Sequence, residues 1–345
     1  MTVLTIRHAG PVMTVQDAGR PGYMAQGLSV GGAADPLALY EAAALLGKPT
    51  LGEAIEMAGL GGCFVVDEPM RFCLTGAPMH ATVDGADIAW NATHCLRPGQ
   101  QLDIGGARKG VYGYLGFAGA MTADKVLGSH SAHLTAGIGR LLETGDSLTL
   151  APDAAPDFPS RLLLVTDRFA GGEIRLMPGP QTALFDAETR MRFEATAFVR
   201  SVQGNRQGVR CDHQDTPFSA ATAEGLVSDF IACGDVQLTG EGVPYVLLAE
   251  CQTIGGYPRI GTVLALDLPK LAQTPPGGAL RFRMVTLAEA ETLRLHPAKR
   301  LADLRAATRP MIRDLRDIHD LLGYQLISGM TRGDDLERLE DDTNN

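Results

Sequence analysis

A mainly β fold, split into two strand-rich halves and followed by a helical extension, is the architecture this sequence predicts. Three observations carry that expectation. The 345 residues include 41 Gly and 20 Pro, a density of chain-turning residues that suits many short strands better than long helices. Short alternating or apolar runs recur on both sides of a proline-bearing stretch, A-P-D-A-A-P-D-F-P-S from Ala151 to Ser160, which reads as a linker. The length also exceeds what one hydrophobic core usually serves. The expected boundaries are 1–155 for the first half, 156–290 for the second and 291–345 for the helical extension with its tail.

At the amino end, V-L-T-I-R from Val3 and V-M-T-V from Val12 read as short strands that lead into a long loop at Gln16. A helix follows, because Asp35 suits the N-cap, Pro36 the first helical position, and Leu37, Tyr40 and Ala44 form a stripe that Gly47 and Pro49 end. From Glu53 to Phe117 the pattern becomes short strands: A-I-E-M, C-F-V-V, R-F-C-L, A-T-V, D-I-A-W, Q-L-D-I and V-Y-G-Y-L-G-F. Asp84-Gly85 between two of them is a hairpin signal, since both residues tolerate positive φ. Strands at this spacing suggest a barrel.

Beyond the linker the texture repeats in R-L-L-L-V-T, E-I-R-L-M, F-E-A-T-A-F-V-R-S-V, D-V-Q-L, Y-V-L-L-A-E, T-V-L-A-L and L-R-F-R-M-V. After Thr286 the pattern turns helical in L-A-E-A-E-T-L-R-L, L-A-D-L-R-A-A-T-R and I-R-D-L-R-D-I-H-D-L-L, whose charged faces are expected to be solvated.

A formal charge of −10 argues against binding a nucleic-acid backbone, which needs a basic surface to release counterions. Part of that charge is local: residues 331–345 hold six acids against two bases, and this tail is expected to fray. No apolar run reaches the roughly 18 residues of a membrane span and the first residues do not read as a leader, so a cytoplasmic location is expected. Six scattered cysteines without a C-x-x-C pair suit reduced, mostly buried thiols. His130 and His133 stand three apart with no carboxylate or third imidazole near them in sequence, so no metal site is expected.

Two glycine- and proline-stiffened stretches carry the candidate chemistry. The first, Thr14 to Leu39, holds Gln16, Asp17 and Arg20, and the second, Ala249 to Gly261, holds Gln252, Thr253 and Tyr257; both place polar groups on rigid turns where they can grip a small carbonyl compound. Asp17 and Arg20 are close enough to pair with each other. Gly27-Leu28-Ser29-Val30-Gly31 matches the G-x-S-x-G elbow, but the helix begins only near Pro36 and no His and acid accompany the motif, so Ser29 is read as a hydrogen-bonding group. Asn205-Arg206 at a strand end offers a guanidinium fork for a carboxylate, phosphate or ureido oxygen. Gln181 in Gly179-Pro180-Gln181 adds a neutral amide. Neither a phosphate-binding P-loop nor a dinucleotide fingerprint is present.

Taken together, Q-D-A-G-R-P-G-Y from Gln16, G-x-S-x-G-G-A-x-D-P-x-A-L from Gly27, G-P-Q, N-R-x-G and Q-T-x-G-G-Y-P-R-I resemble one family. It is the biotin-dependent carboxyltransferase family that includes the C-subunit of 5-oxoprolinase, the allophanate hydrolase subunit 2-like proteins and the matching part of urea carboxylase. The resemblance runs from about Val3 to Val285, with residues after about 300 outside it. It implies two cyclophilin-like β-barrel subdomains. It also implies a partner, a B-subunit homologue (allophanate hydrolase subunit 1-like), and in one branch an A-subunit homologue as well.

The 5-oxoprolinase branch implies that ATP phosphorylates the lactam oxygen of 5-oxoproline, with Arg206 steadying that oxygen and Gln181, Gln252 and Tyr257 orienting the ring. The complex binds the ATP, with or without contacts from this chain, and the chain alone is expected to be inactive. In the urea carboxylase branch, carboxybiotin releases CO2 in a dry pocket and the biotin ureido anion deprotonates the acceptor amide, with the same residues holding biotin and urea. Arg206, Gln252 and Tyr257 are thus the expected catalytic set, with Gln16, Asp17, Arg20, Ser29, Gln181, Asn205 and Thr253 binding substrate. A third branch implies a non-enzymatic regulator that binds a kinase-inhibitor-like partner. The chain departs from the family pattern at Gln207, at Cys233-Gly234-Asp235-Val236 and at Cys251, which points to a shifted small amide substrate.

Overall fold

The computed structural model describes residues 1–220, 226–294 and 296–311. In the first half, strands form two sheets. The six-stranded sheet runs in the order Ser147–Leu150, Thr2–His8, Cys63–Val66, Leu102–Ala107, Met79–Val83, Ala86–Asp87; the five-stranded sheet runs Met13–Gln16, Ala54–Ala58, Tyr112–Phe117, Met70–Gly76, Thr93–Leu96. Leu4, Ile6, Phe64 and Leu102 of one sheet share a core with Met13, Ile55, Phe72 and Leu115 of the other. Alternation explains the first strand, where Thr2, Leu4 and Ile6 are buried and Val3 and Thr5 only partly so. The turn residues Asp84 and Gly85 both adopt positive φ, 50° and 81°, as the hairpin signal requires.

Met70–Gly76 and Tyr112–Phe117 are buried along their whole length because the helix Pro36–Leu46 covers their second face: Thr75 Oγ1 donates to Ala38 O at 3.0 Å. That helix is capped as the sequence predicts, Asp35 accepting from Leu37 N at 3.1 Å and Gly47 ending it at φ 72°. Asp35 does more than cap. Arg168 Nε reaches its Oδ2 at 2.7 Å while the same guanidinium makes a two-pronged contact with Glu41 at 2.7 and 2.9 Å.

The second half closes into a barrel in the order Gly172–Met177, Arg259–Val263, Asp235–Leu238, Pro244–Leu247, Gly208–Asp212, Phe198–Gly204, Ala279–Met284. Ile174, Val209, Val236, Val246, Ile260 and Phe282 point inward. Phe193 stacks on Phe282 with centroids 5.2 Å apart. Phe193 belongs to a helix, Ala187–Ala195, whose last three residues the sequence reading assigns to a strand; Asp186 caps it through Thr189 N at 2.7 Å, and the strand starts only at Phe198. Likewise R-L-L-L-V-T contributes only the short strand Arg161–Leu162. A further short helix forms at Leu268–Gln273.

The two halves meet through a continuous apolar region that adds Ala33, Ala34, Leu39, Tyr112 and Tyr114 to the barrel core. Gln273 bridges them, its Oε1 accepting from Val111 N and Tyr112 N and its Nε2 donating to Asp35. Two of the expected C-terminal helices form, Leu287–Thr292 and Pro297–Ala307. The second folds back on the first half, Leu301 packing against Ala43 and Ala44. The third expected helix and the acidic tail lie outside the described residues. Among the described residues no helix is long and apolar enough to cross a membrane.

Candidate functional site

Strand alternation builds the floor of the site. Val236, Val246 and Val209 face the barrel core, so Gln237, Tyr245, Leu247 and Gly208 on the same three strands face outward. The strand end and turn Gln203–Gln207 and the segment Cys251–Tyr257 wall this outer face into a recess of about 480 Å³. Five carboxamides, from Gln203, Asn205, Gln207, Gln237 and Gln252, line it together with Thr239, Tyr245 and Tyr257, and among the described residues none that lines it is Asp, Glu, Lys, Arg or His. A smaller recess of about 290 Å³ adjoins it, lined by Ser29, His133, Thr135 and Thr253; Cys251 and Gln252 border both.

Behind the recesses lies a buried ionic cluster. Arg206 Nε donates to Glu250 Oε1 at 2.6 Å, Nη1 to Glu56 Oε1, and Nη2 to Gly32 O at 2.5 Å. Glu56 Oε2 also accepts from Ala34 N at 2.8 Å and from the Tyr114 hydroxyl at 2.7 Å. Burial opposes the Arg206 charge, but the two carboxylates outweigh it and hold the guanidinium above its ordinary value. The three nitrogens that the sequence reading offers to a ligand oxygen are therefore engaged inside the chain. Arg206 is a positioning residue here: it ties the Gly32 turn, the strand Ala54–Ala58 and the Glu250 loop into one wall.

Ser29 Oγ lies 2.8 Å from His133 Nε2, and His133 Nδ1 is 3.9 Å from Glu250 Oε2. Glu250 Oε2 also accepts from the backbone N and hydroxyl of Thr135, both at 3.2 Å. Burial holds the His133 imidazole below its usual value, with Glu250 opposing and Arg20 reinforcing that shift. Thus each histidine that the sequence leaves without a carboxylate gains one from a distant segment, His130 Nδ1 meeting Glu53 Oε1 at 2.8 Å.

Asp17 and Arg20 do not pair with each other, contrary to the sequence expectation; both bind the 126–131 segment. Asp17 accepts from the Ser129 hydroxyl at 2.6 Å, the Ser131 hydroxyl, His130 N and Gly19 N. Burial pushes this carboxyl up, and those hydrogen bonds more than offset it, leaving it below its ordinary value. Arg20 is fully buried and donates to Ser131 O and, at 3.4 Å, to Val126 O.

Of the other sequence candidates, Asn205, Gln252 and Tyr257 line the larger recess, and Ser29, Gln252 and Thr253 the smaller one. Gln16 is buried and donates to Thr14 Oγ1 and Ala132 O, while Gln181 accepts from Arg259 N at 3.0 Å; neither lines a recess. Sequence reasoning missed Glu56, His133, Gln237 and Glu250. Only Glu250, directly before the C-Q-T-x-G-G turn, carried any local signal.

A family model for the carboxyltransferase domain, subdomain A and B, matches residues 26–284. The chain is 35% identical over 294 residues to the C-subunit of 5-oxoprolinase from Escherichia coli strain K12, covering 84% of this chain and 93% of that protein. It is 24% identical over 315 residues to urea amidolyase of Saccharomyces cerevisiae, covering 85% of this chain but only 17% of that protein. Among solved structures, TTHA0988 superposes with a TM-score of 0.75 at 29% identity, covering 82% of this chain. The chain spans 56% of that structure's length.

Proposed function

The chain belongs to the carboxyltransferase-domain family, subdomain A and B, and on that premise we propose that it is the C-subunit of an ATP-dependent 5-oxoprolinase, acting with a B-subunit homologue and an A-subunit homologue. One observation carries the reading: the chain is 35% identical to the C-subunit of a bacterial 5-oxoprolinase over 93% of that protein, against 24% identity to a urea amidolyase. The larger recess supports it chemically. A cyclic amide is a neutral group with one donor and one acceptor, and a wall of carboxamides and hydroxyls orients it without adding charge.

Ring opening consumes lactam, ATP and water and yields glutamate, ADP and phosphate. The contribution of this chain is to hold the lactam edge through Asn205, Gln252 and Tyr257 while Arg206 keeps the recess wall in place. Among the described residues the recess lining offers no cationic side chain to neutralise a triphosphate. In this reading the nucleotide, and the carboxylate of 5-oxoproline, are met by partner chains at the mouth. Phe230 and Ile254, exposed at 59 and 55%, stand side by side on the short pair Asp229–Phe230 with Ile254–Gly255, the latter within the Cys251–Tyr257 wall. Such an apolar rim suits coverage by the B-subunit homologue.

The same neutral lining also suits the ureido ring of biotin, which keeps carboxyl transfer to urea or a related amide as the second reading. Release of ADP by the chain mixed with its B-subunit and A-subunit homologues tests the choice. Lactam-stimulated ADP release with glutamate formation is expected. An assembled complex that releases no ADP with 5-oxoproline overturns the oxoprolinase reading.

A further inference from the structure

Gln237 stands apart from the other carboxamides of the larger recess. Gln207 Nε2 is committed to Thr135 Oγ1 at 2.8 Å, Asn205 Oδ1 to Gln207 N at 2.8 Å, and Gln203 Oε1 to the Tyr245 hydroxyl at 3.4 Å. Gln252 is exposed at the junction of the recesses. Gln237 is only 7% exposed, and among the described residues its buried amide nitrogen has no hydrogen-bond partner. Among those same residues no hydrogen bond reaches its carbonyl oxygen either. The buried amide nitrogen left this way forfeits its hydration, at a cost native folds avoid unless a partner arrives, while the carbonyl oxygen keeps contact with solvent.

We propose that Gln237 reads the ligand by pairing edge to edge with a cis-amide, so that the recess selects lactams and ureido rings over open-chain amides. A small ring forces its amide cis, which brings N–H and C=O to the same edge, whereas an open-chain secondary amide is trans and points them in opposite directions. A primary carboxamide also presents an N–H and a C=O side by side. The two edges close a pair of antiparallel hydrogen bonds, and the pairing is the same whichever way the Gln237 amide is turned. Gly255 makes room for this group: a Cβ there would stand 2.7 Å from Gln237 Nε2.

The inference rests on the oxoprolinase reading for the natural ligand, but its test needs neither ATP nor a partner. Binding to the full chain is followed by ligand-observed NMR with 2-pyrrolidinone, N-methyl-2-pyrrolidinone, which lacks the N–H, and N-methylacetamide, which is trans. Saturable binding of 2-pyrrolidinone is expected, weakened about tenfold or more by either analogue's defect, because a buried partner is left unpaired. Gln237→Leu should lose that discrimination and most of the binding. Gly255→Ala, whose Cβ would meet both the tip of Gln237 at 2.7 Å and Ile231 Cδ1 at 2.9 Å, should weaken binding in a chain with unchanged circular dichroism. Equal binding of the N-methyl lactam, unchanged binding by Gln237→Leu, or no saturable binding of 2-pyrrolidinone overturns the proposal. A chain that discriminates as expected but whose complex releases no ADP overturns the oxoprolinase reading alone. Lactam-stimulated ADP release insensitive to Gln237→Leu overturns this inference alone.

Discussion

Ser29 Oγ and His133 Nε2 are 2.8 Å apart across 104 residues of sequence. We assign the ring proton to Nε2, because the backbone N–H of Ala136, which donates to His133 O at 3.1 Å, also points at His133 Nδ1 at 3.3 Å, nearer than Glu250 Oε2 at 3.9 Å. The serine hydroxyl thereby accepts from the ring and keeps its own hydrogen for the smaller recess. This is the reverse of the polarity a serine nucleophile needs, in which the histidine takes the hydroxyl proton.

Ser29 is therefore expected to resist covalent labelling by a serine-directed fluorophosphonate. Ser29→Ala should lower kcat/KM of the assembled complex about tenfold through one lost hydrogen bond, with the thermal midpoint nearly unchanged. Stoichiometric labelling at Ser29, read by mass spectrometry, would reverse the assignment.

The depressed His133 imidazole has a pH signature. The unfolded chain binds a proton at this residue near pH 6.5 and the folded chain does so only at lower pH. Between those two values the unfolded state holds more protons, so stability rises with pH there. Its contribution is complete above about pH 6.5 and is lost as the pH falls through the folded value. His94, also depressed by burial, adds a slope of the same sign. Denaturant titrations of the parent and His133→Gln at pH 5 to 8 should show a shallower acid-side slope in the variant.

Arg206→Ala removes the cation between Glu56 and Glu250 and strands two buried carboxylates. A loss of roughly 3–5 kcal/mol is the usual cost of breaking such a pair from one side, so the variant should lose stability as well as turnover. Loss of turnover with an unshifted urea midpoint would instead place Arg206 on the ligand. Arg206→Lys should recover little, since one ammonium cannot reach Glu56, Glu250 and Gly32 O in the fixed directions of a guanidinium.

At the recess mouth, Phe230→Asp adds charge to a side chain that is 59% exposed. The isolated chain should keep its stability to within about 0.5 kcal/mol. Association with the B-subunit homologue should weaken about tenfold or more if the rim is the docking face, as measured by analytical ultracentrifugation. Unchanged association would move the interface elsewhere.

Much of the fold was legible because its determinants are local. The cap at Asp35, the hairpin at Asp84-Gly85 and the alternation of Thr2–His8 each depend on residues within a few positions of one another. Misreadings fell where tertiary packing overrode local appearance. Phe193 sits in a segment that resembles a strand, yet it lies near the end of a helix because the ring fills the barrel beside Phe198, Phe218 and Phe282. The candidate site was legible in part. Asn205, Gln252, Thr253 and Tyr257 stand on loops that glycine and proline make conspicuous, whereas Gln237 sits in the ordinary strand D-V-Q-L, where nothing local shows that its side chain is left without a partner.

By itself the sequence determined the β-rich halves, the turns that shape the recess walls and the family to which the chain belongs, since periodicity, turn chemistry and motif order are written along the backbone. Only the tertiary structure decided that Arg206 supports the site from within, that Asp17 and Arg20 brace a neighbouring loop, and that Ser29 meets His133. The physical reason is distance along the chain: Arg206 and Glu56 are 150 residues apart, and charges that far apart in sequence become partners only when burial in a shared core leaves each with no other way to be neutralised.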